Sequence, residues 1–201
     1  TCIILLAISF IMIFVATPLW VPFVVIGLIG VAGAGGLLLT QGYRMERITV
    51  WLDPAASEKG HQTIQGLYAI GSGGLFGKGL GQSMQKLGFL PEANNDMIFS
   101  VICEELGLFG ALCVLALFFA LIWRFMVIAV NAPDLYGSMI VVGVIAHIGI
   151  QVFINIAVAT NTIPNTGIPL PFISYGGSSL VFMLLEMGLV LSVSRYINVK
   201  K

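Results

Sequence analysis

Charge is what this sequence has least of. Asp, Glu, Lys and Arg make up 9% of its 201 residues, against 58% that are hydrophobic, whereas a soluble domain carries roughly 25% charged residues. Such a chain has too little polar surface to cover itself in water, which points to a bilayer as its solvent. The formal net charge is zero, so nothing suggests a nucleic-acid partner. Cysteine is scarce as well. Cys2, Cys103 and Cys113 lie in apolar segments at spacings that fit no metal site, and an odd count argues against a disulfide framework. They read as small apolar fillers. An initiating Met is also missing. Thr1 already sits in an apolar run with no basic region before it and no small-residue cleavage site after it, so no signal peptide is read and further N-terminal spans are expected.

What is present is a series of apolar runs. A spanning helix needs about 20 apolar residues, and spans are predicted near 3–16, 21–40, 98–123, 136–160 and 179–197. The fold expected is an all-α polytopic transmembrane helix bundle. The second run contains Gly27, Gly30, Gly33, Gly35 and Gly36, small residues that let helices approach closely. Of the 18 charged residues, 12 fall between Gln41 and Glu105, which makes 41–97 the one large water-facing loop. Trp51, Leu67, Tyr68, Phe76 and Leu90 within it argue against disorder, and residues 62–70 suit a short helix at the membrane interface. Between the last two spans, Pro164, Pro169, Pro171, Gly167, Gly176 and Gly177 forbid a regular helix. Non-helical backbone at that depth is tolerated where it is buried in protein or lines a wet cavity, so a re-entrant or cavity-lining segment is expected.

Arg195, Lys200 and Lys201 follow the last span and Arg124 follows the third, which puts those ends in the cytoplasm and the 41–97 loop outside. The loop's own Arg44, Arg47, Lys59, Lys78 and Lys86 oppose that count formally. Long loops weigh little in it, and exterior basic residues suit an anionic ligand.

Several constellations carry possible chemistry. Asn94 or Asn95 suits a helix N-cap, which would place Asp96 in the first turn of the third span. Asp96, Ser100 and Glu104 then form a polar stripe descending about 12 Å at 1.5 Å per residue. An aspartate also simply suits a helix N-terminus. Glu104 and Glu105 are expensive inside a span and face either a cavity or an ion-pair partner. The glycine-rich run from Gly71 to Lys86 either approaches a ligand closely, with Lys78 and Lys86 pairing with phosphate, or is a flexible turn. His147, Gln151 and Asn155 recur every fourth residue, as helix-bridging polar groups do, and Glu186 is a lone carboxylate in the last span.

Four stretches together resemble a known family. They are QGLYAIGSGGLFGKGLGQS from Gln65 to Ser83, QKLGFLPE from Gln85 to Glu92, Asp96 with Glu104 to Gly107 (EELG), and PNTGIPLPFISYGGSS from Pro164 to Ser179. In this order they resemble the SEDS family of FtsW, RodA and SpoVE, nearest the FtsW and SpoVE branch and over its C-terminal half. The resemblance implies a peptidoglycan glycosyltransferase at the outer face of the bacterial plasma membrane. Such an enzyme polymerises lipid II, an undecaprenyl-diphosphate-linked disaccharide peptide, and works beside a class B penicillin-binding protein in a division or elongation complex. It implies Asp96 as the catalytic carboxylate, although this chain has Asn95-Asp96-Met97 where the family commonly has Thr-Asp-Phe. Inverting displacement of a diphosphate needs one general base, and positive charge on the leaving group. Arg44, Arg47, Lys78 and Lys86 are the local candidates for that charge, with Gln82, Ser83, Glu104, Glu105, Ser174, Ser178 and Ser179 as further substrate-binding candidates. A divalent cation, magnesium or manganese, is the other candidate source of charge. The competing expectation is a transporter that flips lipid II, for which Glu104, Glu105, Glu186 and the broken segment at Pro164 would also serve.

Overall fold

The computed structural model describes residues 2–17, 25, 27, 42–56, 60–87 and 90–197. Among them the only regular structure is helical. In chain order the helices are α1 (Cys2–Ala16), α2 (Gly42–Leu52), α3 (His61–Gly73), α4 (Ile98–Val130), α5 (Leu135–Ala159) and α6 (Gly177–Arg195). Three of them, α4, α5 and α6, are long and apolar enough to cross a membrane, and α1 is a shorter apolar helix. Helices are what such runs must form, because in hydrocarbon every backbone N–H and C=O needs a partner within its own segment. The chain is thus a multi-pass membrane helix bundle. The span expected at 21–40 lies outside the described residues, apart from Val25 and Gly27.

Helices α4 and α5 form an antiparallel hairpin. Its turn ends at Asp134, whose side chain accepts from Gly137 N at 3.4 Å and caps α5. Ala111, Phe118 and Phe125 recur every seven residues on α4, so one seam of that helix stays turned inward. That seam meets Val141, Val144, Ile148 and Val152 of α5, and Met183 and Val190 of α6 complete the core. Helix α1 packs on α5, where a side chain at Gly143 would press against Met12.

Two boundaries differ from the sequence-based expectation. Helix α4 runs on to Val130 rather than ending near Trp123, so Arg124 lies within its last turns. Helix α6 begins at Gly177 rather than Ser179, which brings Ser178 out of the preceding loop and into the first turn beside Ser179.

Helix α4 is also broken at Gly107, with φ 67° and ψ −167°. A break inside a span strands backbone groups, and here the glycine-rich loop takes them up. Lys78 N donates to Glu104 O and Gly79 N to Glu105 O, each at 2.9 Å. On the other side of the break, Leu108 N donates to Gly74 O at 2.9 Å and Phe109 N to Leu75 O at 3.1 Å. The loop comes this close because Gly77 and Gly107 both adopt positive φ, and a Cβ on Gly77 would meet Glu105 O at 2.2 Å. Its glycines therefore serve backbone pairing with α4.

Candidate active site

Helix α3 lies against the first half of α4. Thr63, Gly66, Ala69 and Gly73 form its buried face, at a spacing that keeps small residues on one side of a helix. A Cβ on Gly73 would meet Cys103 O at 1.9 Å, so the two backbones touch there. This contact seals Ser100 and Glu104, both fully buried. It also sets Gln62, at the N-terminal end of α3, beside Asp96.

Asp96 is 7% exposed and precedes α4, which starts at Ile98 with Met97 in the cap position. The first-turn placement is thus corrected, and neither Asn94 nor Asn95 caps the helix. The reason is tertiary. The three backbone carbonyls before the helix are held by groups from the Pro/Gly segment and α5. Tyr175 N donates to Asn94 O at 2.8 Å, Ser174 Oγ to Asn95 O at 2.6 Å and Asn155 Nδ2 to Asp96 O at 2.7 Å. Asn155 gives its second amide hydrogen to Ile168 O at 2.9 Å, which clamps the Asp96 turn to the segment beside it.

The Asp96 side chain opens into a cleft of about 280 Å³ lined by Arg47, Val50, Trp51, Gln62, Thr63, Glu92, Asn161, Asn165 and Gly167. Gln62 Nε2 lies 3.3 and 3.5 Å from the two carboxylate oxygens. Asn165 Nδ2 donates to Gln62 Oε1 at 3.1 Å, and Gly167 N to Asn165 Oδ1 at 2.9 Å. Helix α2 is tied to the same segment: Arg47 Nη1 donates to Asn165 O at 2.7 Å and Trp51 Nε1 to Asn161 O at 2.9 Å. Burial pushes the Asp96 carboxyl above its ordinary range, and the Glu92 charge adds to that push. The backbone at Asp96 and the amides of Asn165 and Gln62 act against it.

The other expected site residues divide. Arg47 lines the cleft. Arg44 belongs to α2, but its side chain lies outside the described residues. Lys78, Ser83, Lys86, Glu104 and Glu105 form a second cluster with internal bonds. Glu104 accepts from Lys78 Nζ at 2.6 Å, Ser83 Oγ at 2.5 Å and Gln85 N at 3.3 Å, and Lys86 Nζ lies 3.0 Å from Glu105. Gln82 is exposed in the glycine-rich loop. Ser174 is spent on the clamp already described, and Ser178 and Ser179 start α6. Among the described residues no three His, Cys, Asp or Glu side chains converge as metal ligands would.

Sequence reasoning passed over Gln62, Asn165, Trp51 and Asn161 as site residues. Only Asn165 had a local signal, since Asn two residues before Gly is a turn in which the side chain accepts from the backbone.

Comparison with known proteins gives the family. The family of FtsW, RodA and SpoVE, described as cell cycle protein, matches residues 1–199. Stage V sporulation protein E of Bacillus subtilis (strain 168) is 55% identical over 190 residues, covering 92% of this chain and 51% of that protein. A probable peptidoglycan glycosyltransferase FtsW of Coxiella burnetii is 46% identical over 182 residues, covering 88% of this chain and 48% of that one. The chain spans about half the length of the curated relatives it matches. Among solved structures, a peptidoglycan synthase complex described as coordinating polymerization and crosslinking superposes with a TM-score of 0.75 at 28% identity, over 98% of this chain and 56% of the other. The rod shape determining protein RodA of Thermus thermophilus gives a TM-score of 0.60 at 30% identity, over 97% of this chain and 48% of its own.

Proposed function

The chain belongs to the FtsW, RodA and SpoVE family, and on that basis we propose that the protein is a peptidoglycan glycosyltransferase that polymerises lipid II at the exterior face of the membrane. The observation that carries the reading is a buried carboxylate, Asp96, opening into a polar cleft built from α2, α3, the segment before α4 and the Pro/Gly segment. Asp96 takes the proton of the attacking sugar hydroxyl as that oxygen displaces the diphosphate from the anomeric carbon. Direct displacement with inversion asks for one base and no carboxylate nucleophile, and a raised pKa suits a base that works near neutral pH. Arg47, at the cleft edge, is placed for an anionic part of the substrate. Lys78 and Lys86 are already paired with Glu104 and Glu105, so their contribution to leaving-group charge is the weaker part of the expectation. Asp96 and Glu92 are the two carboxylates lining the cleft, and a magnesium or manganese ion held by them together with the substrate diphosphate would supply leaving-group charge there.

A class B penicillin-binding protein is the partner proposed. The likeness to a synthase complex that couples polymerization and crosslinking supports it. The decisive assay is glycan polymerisation from lipid II by the full-length protein carrying Asp96→Asn. The expected result is loss of polymer with lipid II still bound; polymer formed at the wild-type rate overturns the assignment.

A further inference from the structure

Resting on the reading of Asp96 as the base, we propose that Gln62 is the residue that positions it, through a chain of hydrogen bonds whose direction is dictated by one backbone N–H. The argument is one of donors and acceptors. Gly167 N can only donate, so the Asn165 atom it meets at 2.9 Å is the amide oxygen. Asn165 must then turn its NH2 toward Gln62, and it does so at 3.1 Å to Oε1. With its oxygen engaged, Gln62 has only its NH2 left for Asp96, and that nitrogen sits 3.3 and 3.5 Å from the two carboxylate oxygens. An amide is ordinarily free to present either end to a neighbour. Here the far end of the chain removes that freedom, so Asp96 always faces a donor. A donor across both oxygens favours the carboxylate and fixes its plane, opposing the burial that favours the protonated acid.

The chain also joins parts that are remote in sequence. Gln62 stands on α3, Asp96 before α4, and Asn165 and Gly167 in the Pro/Gly segment. The backbone of Asp96 is held separately, by Asn155. Gln62 thus acts on the side chain alone, and its loss leaves the Asp96 turn clamped. Arg47 and Glu92 are the other charged groups lining the cleft, and both remain in every variant below.

The test uses full-length protein in lipid nanodiscs with lipid II as substrate, comparing wild type, Gln62→Leu, Gln62→Asn, Asn165→Ala and Asp96→Asn. Polymerisation is followed against pH, and the Asp96 carboxyl is titrated directly by carbon-13 NMR of labelled aspartate, assigned by its absence in Asp96→Asn. Gln62→Leu is expected to move the acidic limb of kcat and the NMR titration upward together by about one pH unit, which is about tenfold in rate below the limb. Asn165→Ala removes an amide that itself acts on Asp96 and also frees the Gln62 amide to turn, so it moves both in the same direction. Gln62→Asn keeps a donor and recovers part of the shift. A uniform drop in rate with an unmoved limb and an unmoved titration overturns the proposal, since that is how a merely structural residue behaves. Wild-type polymerisation by Asp96→Asn would instead overturn the functional reading, and the NMR titration would still decide whether Gln62 holds Asp96.

Discussion

A base that must be ionised and yet take a proton is tuned by burial against hydrogen bonding, and Asp96, the proposed base, is subject to both, with burial the larger. Burial and Glu92 raise its pKa, and the amides restrain the rise. The consequence for stability follows from the sign. The folded pKa lies above the unfolded value, so the folded state holds a proton that the unfolded chain releases. The contribution is present in full below the ordinary aspartate pKa of about 3.9 and is lost as pH rises through the folded value. At neutral pH the buried charge therefore costs stability. Asp96→Asn, which is neutral, is predicted to melt higher than wild type at pH 7, with the gap closing toward pH 4; a lower melting temperature at pH 7 would contradict this. Asp96 could be proposed from the sequence because a family motif surrounds it, and the structure shows it buried against a polar cleft. Gln62 was not, because its partners lie 34 and 103 positions away and an amide on a short helix carries no local signature.

At the scale of elements, glycines placed at contacts behave differently from glycines placed in the open, and α3 contains both. Gly73 touches the backbone of α4, whereas a Cβ on Gly71 would meet nothing within 4 Å. Gly71→Ala is predicted to stabilise α3 by up to about 1 kcal/mol through helix propensity. Gly73→Ala should cost about 1–3 kcal/mol through overpacking and, by pushing α3 off α4, impair the Asp96 site as well. Thermal melts of the two variants side by side check this, and equal effects would refute the close approach. The cluster around Glu104 allows a second comparison. Removing Lys78 leaves a fully buried carboxylate with its Ser83, Ser72 and Gln85 donors but no counter-charge. Lys78→Met is predicted to destabilise more than the double variant Lys78→Met with Glu104→Gln, which melting of single and double variants would show. Sequence reasoning had an intramembrane carboxylate in view at Glu104 and left its partner open. It left the glycine-rich loop open between ligand cradle and turn. What it had no means of seeing was the break at Gly107, because a glycine within a long apolar span reads as a helix-packing residue. The break shows itself in the backbone angles of Gly107 and in the pairing of α4 with the glycine-rich loop.

For the whole molecule, the three long spans α4, α5 and α6 followed from run length and hydropathy, since the bilayer leaves a long apolar segment no other choice. The tertiary pairing of the connections did not, because it depends on side chains meeting across long separations. The structure brings together two connections, 42–97 and 160–176, through Arg47 to Asn165, Trp51 to Asn161 and Ser174 to Asn95. Groups in hydrogen-bond contact must lie on the same side of the membrane. Helix α5 separates the 160–176 connection from the short turn at 131–134, and α6 separates it from Arg195, so turn and Arg195 share the opposite side. Arg124, in the last turns of α4, falls on the same side as Arg195, and the positive-inside rule predicts that this side is the cytoplasmic one. The break at Gly107 does not upset this count, because its stranded backbone groups are satisfied by the glycine-rich loop without an extra crossing. Single cysteines can test it in a background with Cys2, Cys103 and Cys113 replaced. Thr166→Cys, in the exposed part of the Pro/Gly segment, should react with a membrane-impermeant maleimide on intact cells. Ala132→Cys should react only once the membrane is permeabilised. Labelling of both in intact cells would place the two connections on one face, which the single crossing by α5 forbids, and labelling of Ala132→Cys alone would invert the orientation and put the Asp96 cleft in the cytoplasm, away from an exterior glycan product.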